Sequence, residues 1–193
     1  GLAAVLLGTT GNSQCKQDST YDYTGSMQTY TVPANVFALK IETYGAQGGT
    51  SSVAGGLGAY MSGEFAVTPG DVINIVVGGE GVSIASYHGG GGGGTFVVDP
   101  SGNAMVIAGG GGGSYRSSYN YLASNMNASI GIDGMDGIHG NSSSVAGVAG
   151  VSGNGGAAGT YAGGSNGTGG AGFYTDGADS YGATGGNAYV NGS

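Results

Sequence analysis

Two histidines, one cysteine and three bases are all the chain offers for chemistry beyond carboxylates and hydroxyls. His88 and His139 do not fall in a metal spacing such as H-E-x-x-H, which sets two imidazoles on one helix face. No lysine follows Lys40, so the glycine runs lack the Gly-Lys-Ser/Thr of a phosphate-binding loop. The G-x-G-x-x-G match inside residues 89–94 is trivial in a run of glycine and has neither a basic context nor a helix after it. Asp133 and Asp136, in Ile132-Asp133-Gly134-Met135-Asp136-Gly137, offer two carboxylates. A calcium loop needs more oxygens and a closing Glu, so these two read as a solvated polar edge. No carboxylate pair stands out for glycoside hydrolysis. The expectation is a non-enzyme without metal or cofactor. Four N-x-Ser/Thr sequons (Asn127, Asn141, Asn166, Asn191) are what chance supplies in a chain this rich in Asn, Ser and Gly.

The tyrosines carry more information. The chain has 13 Tyr, 4 Phe and no Trp. Tyr115, Arg116, Tyr119 and Tyr121 cluster in Ser114-Tyr115-Arg116-Ser117-Ser118-Tyr119-Asn120-Tyr121, directly after a glycine run. Tyr, Ser and Asn are the residues of adaptable recognition surfaces, and a tyrosine joins stacking area to a polar handle. Two readings stay open: a ligand-binding patch, or caps on the ends of a glycine-rich bundle. Tyr161, Tyr174 and Tyr181 are ligand-binding candidates of the same kind in later connections, beside Phe173.

What must position these rings is set by composition. Of 193 residues 48 are glycine, and only 7% are charged. With 11 acids against 3 bases the net charge is -8. Lys16, Lys40 and Arg116 cannot build the basic stripe that nucleic acid requires, and an anionic membrane surface is unattractive for the same reason. Glycine costs about 1 kcal/mol per helical position relative to alanine, which disfavours a helical fold. Hydrophobic content of 39% with so little charge is not the composition of a disordered tail.

Residues 1–85 hold 15 of the 48 glycines and read as strands; 86–193 hold the other 33. In 36–44, Phe37, Leu39 and Ile41 alternate with Lys40 and Glu42. In 59–67, Met61, Phe65 and Val67 alternate with Tyr60, Ser62 and Glu64. Thr68-Pro69-Gly70-Asp71 is a turn, followed by Ile73, Ile75 and Val77 on one face. Such short period-two segments separated by turns predict an antiparallel sandwich. A hairpin over 95–107 turns at Asp99-Pro100-Ser101-Gly102-Asn103. Glycine runs at 89–94 and 109–113 flank it, as expected where backbone packs directly on backbone.

Beyond residue 130 glycine recurs every third position: 131, 134, 137, 140; then 147, 150, 153, 156, 159; then 164, 167, 170. Three residues per turn is polyproline-II-type geometry. With only three prolines collagen is a poor fit, and short polyglycine-II helices bonded side by side fit better. The interleaved Ile132, Met135, Ile138, Val145, Val148 and Val151 argue against a flexible linker.

Three motifs, Tyr30-Thr31-Val32-Pro33, Ile41-Glu42-Thr43-Tyr44-Gly45-Ala46-Gln47-Gly48-Gly49 and Gly63-Glu64-Phe65-Ala66-Val67-Thr68-Pro69-Gly70-Asp71, resemble glycine-rich surface-protein domains of bacteria and protists. The stretch 89–98 with 104–113 is similar to the glycine-rich region of the anaplastic lymphoma kinase and leukocyte tyrosine kinase ectodomains. By composition alone the chain also resembles phage tail-fibre adhesins with polyglycine helices. The resemblance implies a tumour-necrosis-factor-like jelly-roll carrying an inserted bundle of polyglycine-II helices, and an extracellular recognition role.

The resulting expectation is an all-β protein with essentially no α-helix. Residues 1–20 form an N-terminal connection to an upstream region or partner chain, 21–113 the sandwich, 114–186 the glycine-rich bundle with its loops, and 187–193 a C-terminal strand or tail. The function expected is extracellular or cell-surface adhesion to a glycan or protein receptor, at the tip of a larger surface protein or fibre. An ice-binding or purely structural module is the alternative. The apolar Leu2-Ala3-Ala4-Val5-Leu6-Leu7 is too short to cross a bilayer, which takes about 20 residues. It predicts either a homotrimer contact or a strand of the chain's own sheet. Cys15 reads as a free thiol.

Overall fold

The computed structural model describes residues 4–9, 17–51, 54–83, 89–114, 126–131, 133, 144–145, 148–157, 160–161, 170–179 and 188–189. Among them no α-helix occurs, and the larger sheets are antiparallel throughout. One sheet runs β2 (Gln17–Tyr21), β1 (Ala4–Thr9), β4 (Ala38–Tyr44), β5 (Tyr60–Ala66). The other runs β3 (Gln28–Thr31), β6 (Val72–Val76), β7 (Thr95–Val98), β8 (Ala104–Ala108). A two-residue ladder joins β9 (Ser144–Val145) to β10 (Thr160–Tyr161).

Alternation in the sequence decides which side chains face inward. Leu39 and Ile41 of β4 meet Ile73 and Ile75 of β6 and Val97 of β7 in one core cluster, all essentially without solvent contact. Burial of a branched aliphatic side chain stabilises by about 1.5–3 kcal/mol. Phe37 departs from the expected alternation and is exposed. The chain turns at 33–36, where Val36 N donates to Pro33 O at 3.2 Å and Asn35 has φ 74°, so Val36 takes the core position ahead of β4. The 68–71 turn forms as its residues predict. Asp71 N donates to Thr68 O, Thr68 N donates to Asp71 Oδ2, and Gly70 has φ 92°. Asp99 organises the β7–β8 turn, accepting from Ser101 N and Asn103 N at 2.8 Å each. Asn103 Nδ2 also donates to Asp99 Oδ2 at 3.0 Å, and this bond first, then the backbone ones, holds the carboxyl below the usual range.

Residues 4–7 of the apolar run at the start of the chain lie in β1. This strand pairs with β2 on one side and β4 on the other, with Leu6 opposite both Ser19 and Ile41. Its backbone hydrogen-bonding edges are therefore occupied within the chain.

A second core cluster lies on the outer face of the β3-β6-β7-β8 sheet. Val76, Phe96 and Val98 point there and are covered by Phe173 and Tyr189 from the glycine-rich part of the chain. Phe173 stacks on Tyr189 with centroids 5.1 Å apart and planes 4° from parallel, and Phe96 lies 6.0 Å from each. Both faces of β7 are thus buried, which explains its unbroken apolar run after Thr95.

Candidate functional site

Where the sheets end, the chain continues into extended glycine segments. Residues 45–49 leave β4 and 55–59 enter β5; 78–82 follow β6 and 89–94 enter β7; 109–114 follow β8, and 126–128 run beside them. They bond to one another at intervals of three residues. Gly45 and Gly48 donate to Ala59 and Gly56, Ala46 and Gly49 to Gly93 and Gly90. Gly89 and Gly92 donate to Ser114 and Gly111, Gly90 and Gly93 to Val82 and Gly79. Gly111 and Ser114 donate to Ala46 and Gly49, Gly56 and Ala59 to Gly112 and Gly109. All these N···O distances are 2.7–3.0 Å. The spacing explains why glycine is required: a Cβ at Gly48, Gly92 or Gly110 would overlap the carbonyl of Gly112, Ala46 or Gly92 respectively. Buried amides must find partners, and here neighbouring backbones supply most of them.

The lattice has two distinct ends. At the sheet end, Thr95 Oγ1 donates to Tyr44 O at 2.7 Å and accepts from Gly78 N at 3.2 Å. At the distal end, Ser114 Oγ donates to Gly49 O at 3.3 Å and accepts from Ser51 N at 2.7 Å. Thr50 N donates to Ser83 Oγ at 2.8 Å. The chain leaves the lattice at Gly49, Val82 and Ser114, and these three points lie together. Tyr115, Arg116, Tyr119 and Tyr121 follow Ser114 in sequence and lie outside the described residues, as does Tyr181.

Of the other candidate rings, Tyr161 stands in β10 opposite Ser144. Tyr174 is 58% exposed, next to Phe173 of the second core cluster. Its ring meets Phe173 edge-on at 4.9 Å and 84°, and its N donates to Gly153 O at 2.9 Å. It lies beside a reverse turn in which Ser152 and Gly153 have φ 52° and 81° and Asn154 N donates to Val151 O. Asp133 Oδ1 accepts from Ser152 N at 2.8 Å; Asp136 lies outside the described residues. Val148 and Val151, spaced by three, are both exposed.

One group of residues escaped the reading of the sequence as a site. On the outer face of the β2-β1-β4-β5 sheet, Tyr44 pairs with Tyr60, Glu42 with Ser62 and Lys40 with Glu64. The two rings are 4.9 Å apart at 40° and are 39% and 46% exposed. Lys40 Nζ bonds Glu42 Oε1 at 2.5 Å. That bond, then the charge of Glu42, holds the ammonium above its usual pKa against desolvation, with lesser contributions from Tyr60 and Glu64. The signal was present as the polar half of two period-two segments. Only the antiparallel register joins them.

Among the described residues no three His, Cys, Asp or Glu side chains gather to hold a metal ion. No helix there is long and apolar enough to cross a membrane. Compared with protein-family models, curated proteins and solved structures, the chain matches none.

Proposed function

We propose that the chain is an extracellular recognition domain that binds a cell-surface glycan or protein through connections carried on a rigid glycine lattice. In this reading the two sheets are a jelly-roll base, and the extended segments are polyglycine-II helices. The glycine-rich part beyond residue 130 extends the same architecture, and the fibre-like context brings copies together as a homotrimer. The observation that carries the reading is the three-residue hydrogen-bond register between segments 45–49, 55–59, 78–82, 89–94 and 109–114. A scaffold whose interior is held by backbone leaves the side chains of its connections outside the packing. Such connections can vary and bind while the scaffold persists. Three of them start from one end, where a single surface could be assembled. Tyr115, Arg116, Tyr119 and Tyr121 belong to one of these, with Tyr161, Tyr174 and Tyr181 as further contacts.

Changing Tyr115, Tyr119 and Tyr121 together to Ala tests it. The expected result is loss of cell or glycan-array attachment with the melting temperature nearly unchanged. Loss of folding would make these rings caps of the lattice. Unchanged attachment would move binding to the connections around Tyr161, Tyr174 and Tyr181.

A further inference from the structure

We propose that the Tyr44–Tyr60 pair is a stacking platform for an uncharged pyranose glycan, on the side of the sandwich rather than at the distal end of the lattice. The inference rests on the recognition role proposed above and adds a second site with a stated ligand class.

The first argument is contrast between the two outer faces. That of the β3-β6-β7-β8 sheet is closed by the chain's own Phe173 and Tyr189. On the other sheet Tyr44 and Tyr60 stay substantially exposed. A cross-strand aromatic pair stabilises a sheet by itself, but that role does not need both rings open to water.

The second argument is preorganisation. Tyr44 is the last residue of β4 and Tyr60 the first of β5, so both sit where sheet becomes lattice. Tyr44 O is bonded by the buried Thr95 hydroxyl. Next to Tyr60, Ala59 N donates to Gly109 O and Ala59 O accepts from Gly45 N. Both backbones are therefore held on rigid elements, as a precise binding surface requires. The rings enclose a shallow angle of 40° instead of stacking flat on each other.

The third argument is chemistry. A sugar presents C–H faces, which stack on an aromatic ring, and hydroxyls, which need donors and acceptors; tyrosine has apolar body and polar tip for both. Next to the rings on the same face stands the Glu42–Ser62 pair, and beyond it Lys40–Glu64, able to donate to or accept from hydroxyls. Charge selects among glycans. The platform has two carboxylates to one ammonium, and that ammonium is already bonded to Glu42. The whole chain carries -8. Sialylated or sulfated sugars are repelled, and neutral ones are not.

The experiment is a titration of the isotope-labelled full chain with lactose, maltotriose, chitotriose and 3′-sialyllactose, reading the ring resonances of Tyr44 and Tyr60. Saturable shifts at both rings with at least one neutral sugar, and weaker binding of sialyllactose than of lactose, are expected. Tyr44→Ala and Tyr60→Ala should each weaken binding about tenfold. Ser62→Arg, at an exposed position beside the rings, should block the platform without touching the core, and it decides the matter where an alanine variant fails to fold. Silent rings across the panel, binding unaffected by Ser62→Arg, or ring shifts that follow protein concentration without sugar would each overturn the proposal. The last outcome would mark a contact between copies. Silent rings with cell attachment intact would remove this platform alone, and loss of both would remove the recognition reading as well.

Discussion

A tyrosine hydroxyl buried without a hydrogen-bond partner loses its hydration and gains nothing in return. Tyr30 in β3 is in that position: the side chain is part of the main core, and among the described residues its Oη has no hydrogen-bond partner. Such a group costs about 1–3 kcal/mol. Tyr30→Phe keeps the ring and removes the orphan, so it should stabilise the fold by roughly 1 kcal/mol, measured by chemical denaturation. Burial also raises the pKa of Tyr30, and of Tyr21 with a smaller contribution from Tyr30. The folded state therefore holds these protons more tightly than the unfolded one, whose tyrosines titrate near about pH 10. This share of stability is fully present below that value and is lost as pH rises through the folded pKa. Melting followed from pH 8 upward should fall above about pH 10, and less steeply in Tyr30→Phe. An unchanged alkaline slope would show that Tyr30 does not contribute.

At the scale of the element, neighbouring glycines that look alike differ sharply. In 89–94 a Cβ at Gly92 would overlap the carbonyl of Ala46, whereas at Gly91 the nearest atom, Gly111 O, is 3.9 Å away. Gly91→Ala is expected to be tolerated, and Gly92→Ala to cost roughly 3 kcal/mol because backbone on another segment has to move. Paired melting curves decide between them, and equal tolerance at the two positions would refute the packed lattice. The strands themselves were legible residue by residue. Leu39 and Ile41 against Lys40 and Glu42, or Pro69 and Gly70 in their turn, are local patterns with local causes. Phe37 was misread because the 33–36 turn shifts the phase just before β4 begins.

For the whole molecule, the start of the chain is the sharpest test. Among the described residues β1 is the one sheet neighbour of β2 and separates it from β4. Deleting residues 1–9 should therefore strip amide-exchange protection from 17–21 while the β3-β6-β7-β8 sheet keeps its own. Sedimentation of the intact and shortened chains tests the homotrimer at the same time. A trimer that becomes a folded monomer on deletion would assign the run to contacts between copies; a monomer in both would leave it a strand of its own sheet. The aromatic cover formed by Phe173 and Tyr189 could not be foreseen at this scale. Nothing in their local sequence says which sheet face, distant along the chain, they close.

Composition and alternation alone determined that the described part of the chain is antiparallel and all-β, with glycine runs 89–94 and 109–113 packing backbone against backbone. They did so because both properties are local: a period of two declares a half-buried strand, and a missing Cβ declares the possibility of close approach. Tertiary structure alone decided which glycines use that possibility. Six consecutive identical residues carry no information about which of them faces a neighbouring carbonyl. That depends on the register of segments 45–49, 78–82 and 109–114 around them. The same holds for Tyr44 and Tyr60, separated in sequence and made a pair only by the ladder between β4 and β5.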